Sequence, residues 1–434
     1  MVFRPLLLQH KQTQSNMKRI STFLMCLALP ILGQAQSLTW EECLKLAHDN
    51  YPAIRQYGMV EHMRSYTVSN AAKGWLPQVS VQAGANAFTD IIEATEQMKQ
   101  MGITTKNYVV NGMVSVKQPL YDGGQIAAGK AVAEASDNAE QRRLDVTMHG
   151  VNERVEQLFF GVLTLDEQLE QNALLQSDLV VSLATVNSLM KNGLANQSDA
   201  DAVSVEQVKA EQQAEQLAAS RKAYLTMLGT LIGKDLGENA SLVKPALTMA
   251  TNPNDWGRSR PELSYYNAQN ALIDTQRKQL DARLRPTLGF TGLGMLHTRV
   301  SDRVNNGLLL GGITLSWNVG ALYTRKNDLR KLEVQRQQND NLRDTFLFNN
   351  RLQNEETDGT LQALRKQIAK DAQIVTLREN IRLSNEKKVK LGTESVSELV
   401  RSVNAVSMAR QQQSLHELQL LQMVYHSKVV NGVE

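Results

Sequence analysis

Counting from Leu144 in steps of four and three gives Met148, Val151, Val155, Leu158, Val162, Leu165, Leu169, Asn172, Gln176, Leu179, Leu183, Val186 and Met190. Only Asn172 and Gln176 interrupt the apolar run. That spacing predicts a helix buried along one seam for about six heptads. The predicted helix runs from Gln125 to Lys191, roughly 100 Å at about 1.5 Å per residue. No single compact domain houses such a rod, so the chain must be elongated. The stretch from Asp199 to about Leu231 is its predicted returning partner. Ala200, Ala202, Ala210, Ala214, Ala218 and Ala219 keep that partner slim. Asn192-Gly193 makes the turn between them, with glycine supplying a left-handed helix end. Ser198 or Asp199 is placed to cap the returning helix.

The same plan is written a second time. A helix opened by Pro52 leads to an alternating run opened by Pro77, and Pro261 and Pro286 repeat both. The two prolines lie 25 positions apart in each copy. Proline suits the first turn of a helix and the first residue of a strand. Downstream, Gly193 and Gly392 differ by 199 positions, as do Pro119 and Asn318. A constant offset argues for duplication. Each copy reads helix, strand, loop, strand, very long helix, turn, helix. The expected units are a terminal extension and secretory signal over 1–35, a first repeat over 36–250 and a second over 251–434. Leu391-Gly392 is the second turn, followed by Ser395 or Ser397 as cap.

The alternating runs are strand-length. Val79, Val81, Ala83, Ala85 and Ala87 share one face, and Gln78, Ser80, Gln82 and Asn86 the other. Val110, Gly112, Val114 and Val116 alternate with Asn111, Ser115 and Lys117. In the second copy Leu288, Phe290, Gly292 and Leu296 are expected to pair with Leu309, Gly311, Ile313, Leu315 and Trp317. Each run is about ten residues, enough to cross a bilayer as a tilted strand. One such run also fits the edge of a soluble sheet; two per copy fit a membrane sheet better.

Composition agrees with export and with long helices. Aromatic residues make up 5% and the net charge is +3, without the basic footprint of a nucleic-acid binder. Met17-Lys18-Arg19, the apolar run Phe23 to Leu32 and the small residues around Ala35 form a secretory signal pattern. Cys26 lies inside that run behind the bulky Met25, which does not fit lipid attachment. Cys43 would then be the lone cysteine, so packing must hold the fold. No later segment is an uninterrupted apolar span of about eighteen residues. Entry into a membrane must therefore be as strands.

Four strands leave two open edges, which lipid does not tolerate. Copies must complete each other, and three would supply about twelve strands, enough for a barrel with an open lumen.

"LTWEECLKLAHDNYPAIR", "QPLYDGGQ", the duplicated unit and the two glycine turns resemble the TolC-type outer-membrane efflux family. The resemblance runs over about 38–430. It implies a mostly α protein with transmembrane β structure: a trimeric 12-stranded outer-membrane β-barrel, four strands per protomer, continued by a long periplasmic α-helical barrel of coiled-coil hairpins. It implies a passive export conduit set in outer-membrane lipid. Its partners would be a periplasmic adaptor and an inner-membrane efflux pump or ABC transporter. The family's adaptor contact maps to Gly193 and Leu194 and, in the second copy, to Gly392, where Thr393 replaces the leucine. Its acidic gate maps to Glu398, with Glu394 and Asp199 as further candidates. Arg401 stands one turn on, where it weakens that field or pairs with Glu398. The same acids are also what a helix N-terminus favours through its dipole.

Nothing points to catalysis, a metal or a cofactor. His48, His62, His149, His297, His416 and His426 show no ligand spacing with one another or with Cys43. "PLYDGG" lacks the Lys-Ser/Thr ending of a phosphate cradle and reads as a strand-to-helix turn. The competing reading is a periplasmic coiled-coil scaffold without a pore.

Overall fold

The computed structural model describes residues 37–87, 95–101, 108–248, 257–297 and 307–433. The expected signal over 1–35 lies outside them. In chain order the elements are β1 (Ser37–Leu38), α1 (Trp40–Asn50), α2 (Ile54–Ala72), β2 (Gln78–Ala87), α3 (Glu96–Gln100), β3 (Tyr108–Tyr121), α4 (Gln125–Lys191), α5 (Gln197–Ile232), β4 (Ser241–Leu242), α6 (Pro261–Arg283), β5 (Thr287–His297), β6 (Gly307–Ser316), α7 (Ala321–Lys390) and α8 (Val396–Asn431).

The rods form as the seam requires. α4 has 67 residues and α7 has 70. Every seam position of α4 is buried or half-buried. At its polar break Gln176 Nε2 donates to Asn172 Oδ1 at 2.7 Å, so the buried amide is satisfied. α4 packs on α2 and α6 near the strands and on α5 and α8 beyond them. Ala200 and Ala210 enter the core of the hairpin, whereas Ala218 and Ala219 face outward. α4 also contains an 18-residue window of mean hydropathy 1.3, apolar enough by composition to cross a bilayer. Only 22% of that window is buried within the protomer, and Leu174, Val180 and Val181 of the same helix are exposed.

Two apolar clusters hold the rods. The middle one brings Trp40 and Cys43 of α1 against Phe159 and Phe160 of α4, Leu228 of α5 and Tyr425 of α8. Burial pushes the Cys43 thiol up to about 12, so it stays protonated and inert. The far cluster joins Leu179 and Val186 of α4, Val203 of α5, Val389 of α7 and Leu399 and Val403 of α8. The pair β1–β4, parallel and two residues long, seats Leu38 and Leu242 in the middle cluster.

The two returning helices end alike. Gly233 (φ 71°) and Gly432 (φ 68°) are left-handed ends. A Cβ on Gly233 would meet Asn50 Oδ1 at 2.5 Å, and one on Gly432 would meet the Ser259 carbonyl carbon at 3.0 Å. Each end thus abuts the segment that opens its own copy of the plan. Beside Gly432, buried Asn354 and Asn431 exchange hydrogen bonds of 3.1 and 2.8 Å.

Histidines tie α8 to the long rods. His416 Nδ1 lies 2.7 Å from Asp371 Oδ2 of α7, and His426 Nδ1 lies 3.0 Å from Glu156 Oε2 of α4. His149 bonds the Val429 carbonyl at 3.0 Å, and burial holds its pKa down. For His426 the bond to Glu156 dominates and raises the pKa above the ordinary 6.5. A raised folded value means that stability is fully present below the unfolded pKa and fades as pH rises through the folded one. His426→Gln should therefore destabilise the protein at about pH 6 and less at about pH 9. Thermal midpoints of both proteins across that range check it; a pH-independent difference would remove the ion pair as the cause.

Candidate functional site

The four long strands form one antiparallel sheet in the order β2-β3-β5-β6. Pairing puts the alternating residues into register. Val81 faces Val114, which faces Gly294, which faces Leu309; Val79, Val116, Gly292 and Gly311 form the next row. Phe290 faces Ile313, and Leu288 faces Leu315. This side is apolar or glycine across all four strands except at Gln118, which lies opposite Phe290 and donates to the Trp75 carbonyl at 2.8 Å. The opposite side carries Ser80 beside Ser115, bonded at 2.7 Å, and Thr291 near Thr314 at 3.3 Å. Gln78 faces Lys117, which faces Thr291. β3 runs 14 residues, with an irregularity between Pro119 and Tyr121. Trp317 lies just past β6, not within it.

Ile313 is 72% and Val81 73% exposed in the protomer. The helix-side ends of the strands carry Trp75, Tyr121, Trp317 and Tyr323, all exposed. Amphipathic rings gathered at one strand end match a bilayer interface. No single sequence position announces that belt; it emerges when four strand ends meet. The turn into α4 is built by Asp122, whose carboxylate accepts from Gly124 N at 2.9 Å and Ile126 N at 2.6 Å. Gly123 and Gly124 have positive φ, so "PLYDGG" is a capped strand-to-helix turn.

At the other end, α4 and α7 reverse through matching glycine turns. Leu194 N bonds Leu189 O at 2.9 Å and Gly193 N bonds Met190 O at 3.0 Å. Thr393 N bonds Lys388 O at 2.9 Å and Gly392 N bonds Val389 O at 3.0 Å. Both are Schellman closures, with φ of 74° at Gly193 and 70° at Gly392. The two tips touch: a Cβ on Gly392 would lie 3.7 Å from Leu194 Cδ2.

Residues 43–234 match the family model for outer membrane efflux proteins. That stretch runs from within α1 through α2, β2, β3 and α4 to the end of α5. Its fold is similar to the outer membrane protein VceC of Vibrio cholerae (TM-score 0.68, 11% identity, 91% of this chain and 96% of that one). It is also similar to the CmeC outer membrane channel of Campylobacter jejuni (0.63, 11%, 91% and 85%). The MtrE outer membrane channel of Neisseria gonorrhoeae in its open state matches too (0.65, 12%, 91% and 89%). No curated protein matches by sequence. The first part of the chain thus matches outer membrane efflux proteins by sequence, and the fold over 91% of the chain is similar to solved outer membrane channels.

The expected tip residues, Gly193, Leu194, Gly392 and Thr393, are all exposed. Reading the second tip by alignment with Leu194 misses Leu391, which is 76% exposed against 57% for Leu194. The apolar tip residue has moved from after the glycine to before it. The expected mouth residues serve local bonds. Asp199 is the third residue of a capping box: Asn196 is the cap, rather than Ser198 or Asp199. Ser395 caps α8, bonding Glu398 N at 3.2 Å. Glu394 Oε1 accepts from Ser395 N at 3.2 Å. Glu398 Oε2 sits 2.8 Å from Arg401 Nη1 on the same helix. Deeper in, Arg410 of α8 bridges Asp178 of α4 at 3.3 Å and also pairs with Glu379 of α7. Sequence spacing could not show that bridge, because its members lie on three helices. Among the described residues no group of His, Cys, Asp and Glu is placed to hold a metal.

Proposed function

We propose that three copies of this chain close one channel through the outer membrane and carry cargo out of the cell without altering it chemically. The single observation behind this reading is the open, two-faced sheet. It is apolar on one side and polar on the other, and β2 and β6 have no strand beyond them among the described residues. In lipid each bare edge would leave backbone groups unsatisfied at several kcal/mol apiece. Three sheets of four strands supply twelve and remove every edge. A pore-free scaffold explains the rods but leaves Val81 and Ile313 in water. Residues 36–250 and 251–434 are read as the duplicated halves of one protomer, delivered to the periplasm by a signal within 1–35. The paired tips are read as the docking point for a periplasmic adaptor, itself coupled to an inner-membrane pump or ABC transporter.

The test is extraction from outer membranes followed by electrophoresis with and without heating, and conductance in planar bilayers. A heat-sensitive trimer that conducts is expected; a water-soluble monomer would end the channel reading.

The mouth is read as a selectivity ring whose sign is set by Glu398 against Arg401. Glu398→Ala leaves three unpaired guanidinium groups, so cation preference should fall. Arg401→Ala frees three carboxylates, so it should rise. Reversal potentials in a salt gradient decide this, and equal values in both variants would take these residues off the mouth.

A further inference from the structure

The polar side of the sheet carries an apolar patch spanning three strands. Register aligns Gln82, Met113, Met295 and Leu308 in one row, and Ser80, Ser115, Leu293 and Leu310 in the adjacent row. Five large apolar side chains therefore adjoin one another on β3, β5 and β6, on the face opposite Val81, Val114 and Ile313. The rows on either side revert to Gln78, Lys117, Thr291 and Gly312, and to Gly84, Asn111 and His297. Leu308 is 45% and Leu310 51% exposed. Lipid cannot explain them, because they point away from the lipid side. Packing of the sheet does not require them either, since serine and threonine fill equivalent positions elsewhere on the same face.

Lys117 gives the patch a polarity. It is exposed and is the only Lys, Arg, Asp or Glu in the four strands. Its row adjoins the Leu293–Leu310 row, two residues along the strand, roughly 7 Å away. A cation set that far from an apolar surface matches a molecule with a greasy body and an acidic head. Methionine thioethers adapt to varied shapes, so the match is to a chemical class rather than to one compound.

We propose that Met113, Leu293, Met295, Leu308 and Leu310, with Lys117, form a binding patch on the lumen wall for amphipathic organic anions during export. The inference rests on the channel reading above. Three patches line each trimer, and a bound anion holds its chain on the apolar rows and its head at Lys117. Cargo enters this contact by desolvating its tail and leaves by diffusion, so the patch sets passage time without closing the lumen.

Purified trimers in planar bilayers test it. The probes are decanesulfonate below its micellar concentration, methanesulfonate as its chainless counterpart, and decyltrimethylammonium as its cationic counterpart. Decanesulfonate should block current transiently, with longer events than either control. Met113→Ser with Leu293→Ser and Met295→Ser should shorten those events about tenfold, while unblocked conductance stays the same. Lys117→Gln should shorten decanesulfonate events and lengthen those of decyltrimethylammonium. If the triple variant fails to insert, Leu310→Thr alone should shorten events about two- to threefold. Equal dwell times in the wild-type and variant proteins, or no block in a conducting wild-type channel, would overturn the patch and leave the channel standing. A wild-type protein that never conducts would overturn both.

Discussion

Leu194→Asp together with Leu391→Asp is expected to abolish export while leaving a conducting trimer in the outer membrane. Both leucines are exposed, at 57% and 76%, and neither belongs to the buried cluster beneath the tips. Substitutions at such positions change folding stability by about 0.5 kcal/mol or less. The Schellman closures need the glycines and the backbone, not these side chains. Docking is another matter. Two touching turns present a small apolar knob between polar surroundings, and an apolar anchor in a contact that excludes water carries most of the binding energy. Replacing it by carboxylates forces two charges to desolvate, which costs several kcal/mol and lowers affinity by about a hundredfold or more. Export of a fluorescent cargo from cells and capture of the cognate adaptor by the purified trimer provide the measurement. Leu194→Met with Leu391→Met should retain both. Normal export by the double aspartate variant would take the tips out of docking, even with the channel intact.

The rods were legible because burial against a neighbouring helix imposes a period, and period survives in one dimension. The seam counted from Leu144 to Met190 lies wholly within the helix Gln125–Lys191. The strands were legible for the same reason at period two, and the Phe290–Ile313 and Leu288–Leu315 pairings follow from it. What depends on meeting in space was not. The middle cluster uses Phe159 and Phe160, two adjacent residues that a count of one seam position per turn passes over. Parallel β1 and β4 are two residues each, too short for any periodic signal. Asn196 caps α5 because its backbone is extended there (φ −122°, ψ 175°), a conformation that composition does not distinguish from that of Ser198. Leu391 escaped because a one-residue shift about the glycine preserves the exposed leucine but not its alignment. The apolar rows within the polar face of the sheet appear only once register sets Met113 opposite Met295.

Phe160→Ala is expected to be the most destabilising single truncation in the protein, by about 3–5 kcal/mol. The ring is 0% exposed. Its centroid lies 5.8 Å from that of Trp40, 5.7 Å from Phe159 and 5.6 Å from Tyr425. Those partners come from α1, α4 and α8, so the ring couples α1 and α8 to the 67-residue rod α4. Truncation loses the transfer energy of the ring and leaves a cavity that three neighbouring aromatics cannot close, because each is fixed by edge or tilted contacts with the others. The seam valines Val151, Val155 and Val162 belong to the same cluster, so they border the cavity without filling it. The thermal midpoint of the trimer should fall by about 5–10 °C, with the near-ultraviolet signal of Trp40 weakening below the main transition. Glu238→Gln, which removes a solvent-exposed pair with Lys222 at 2.6 Å, should leave the midpoint unchanged. If Phe160→Ala also left it unchanged, the middle cluster would be filler, and the seam alone would hold the rods in place.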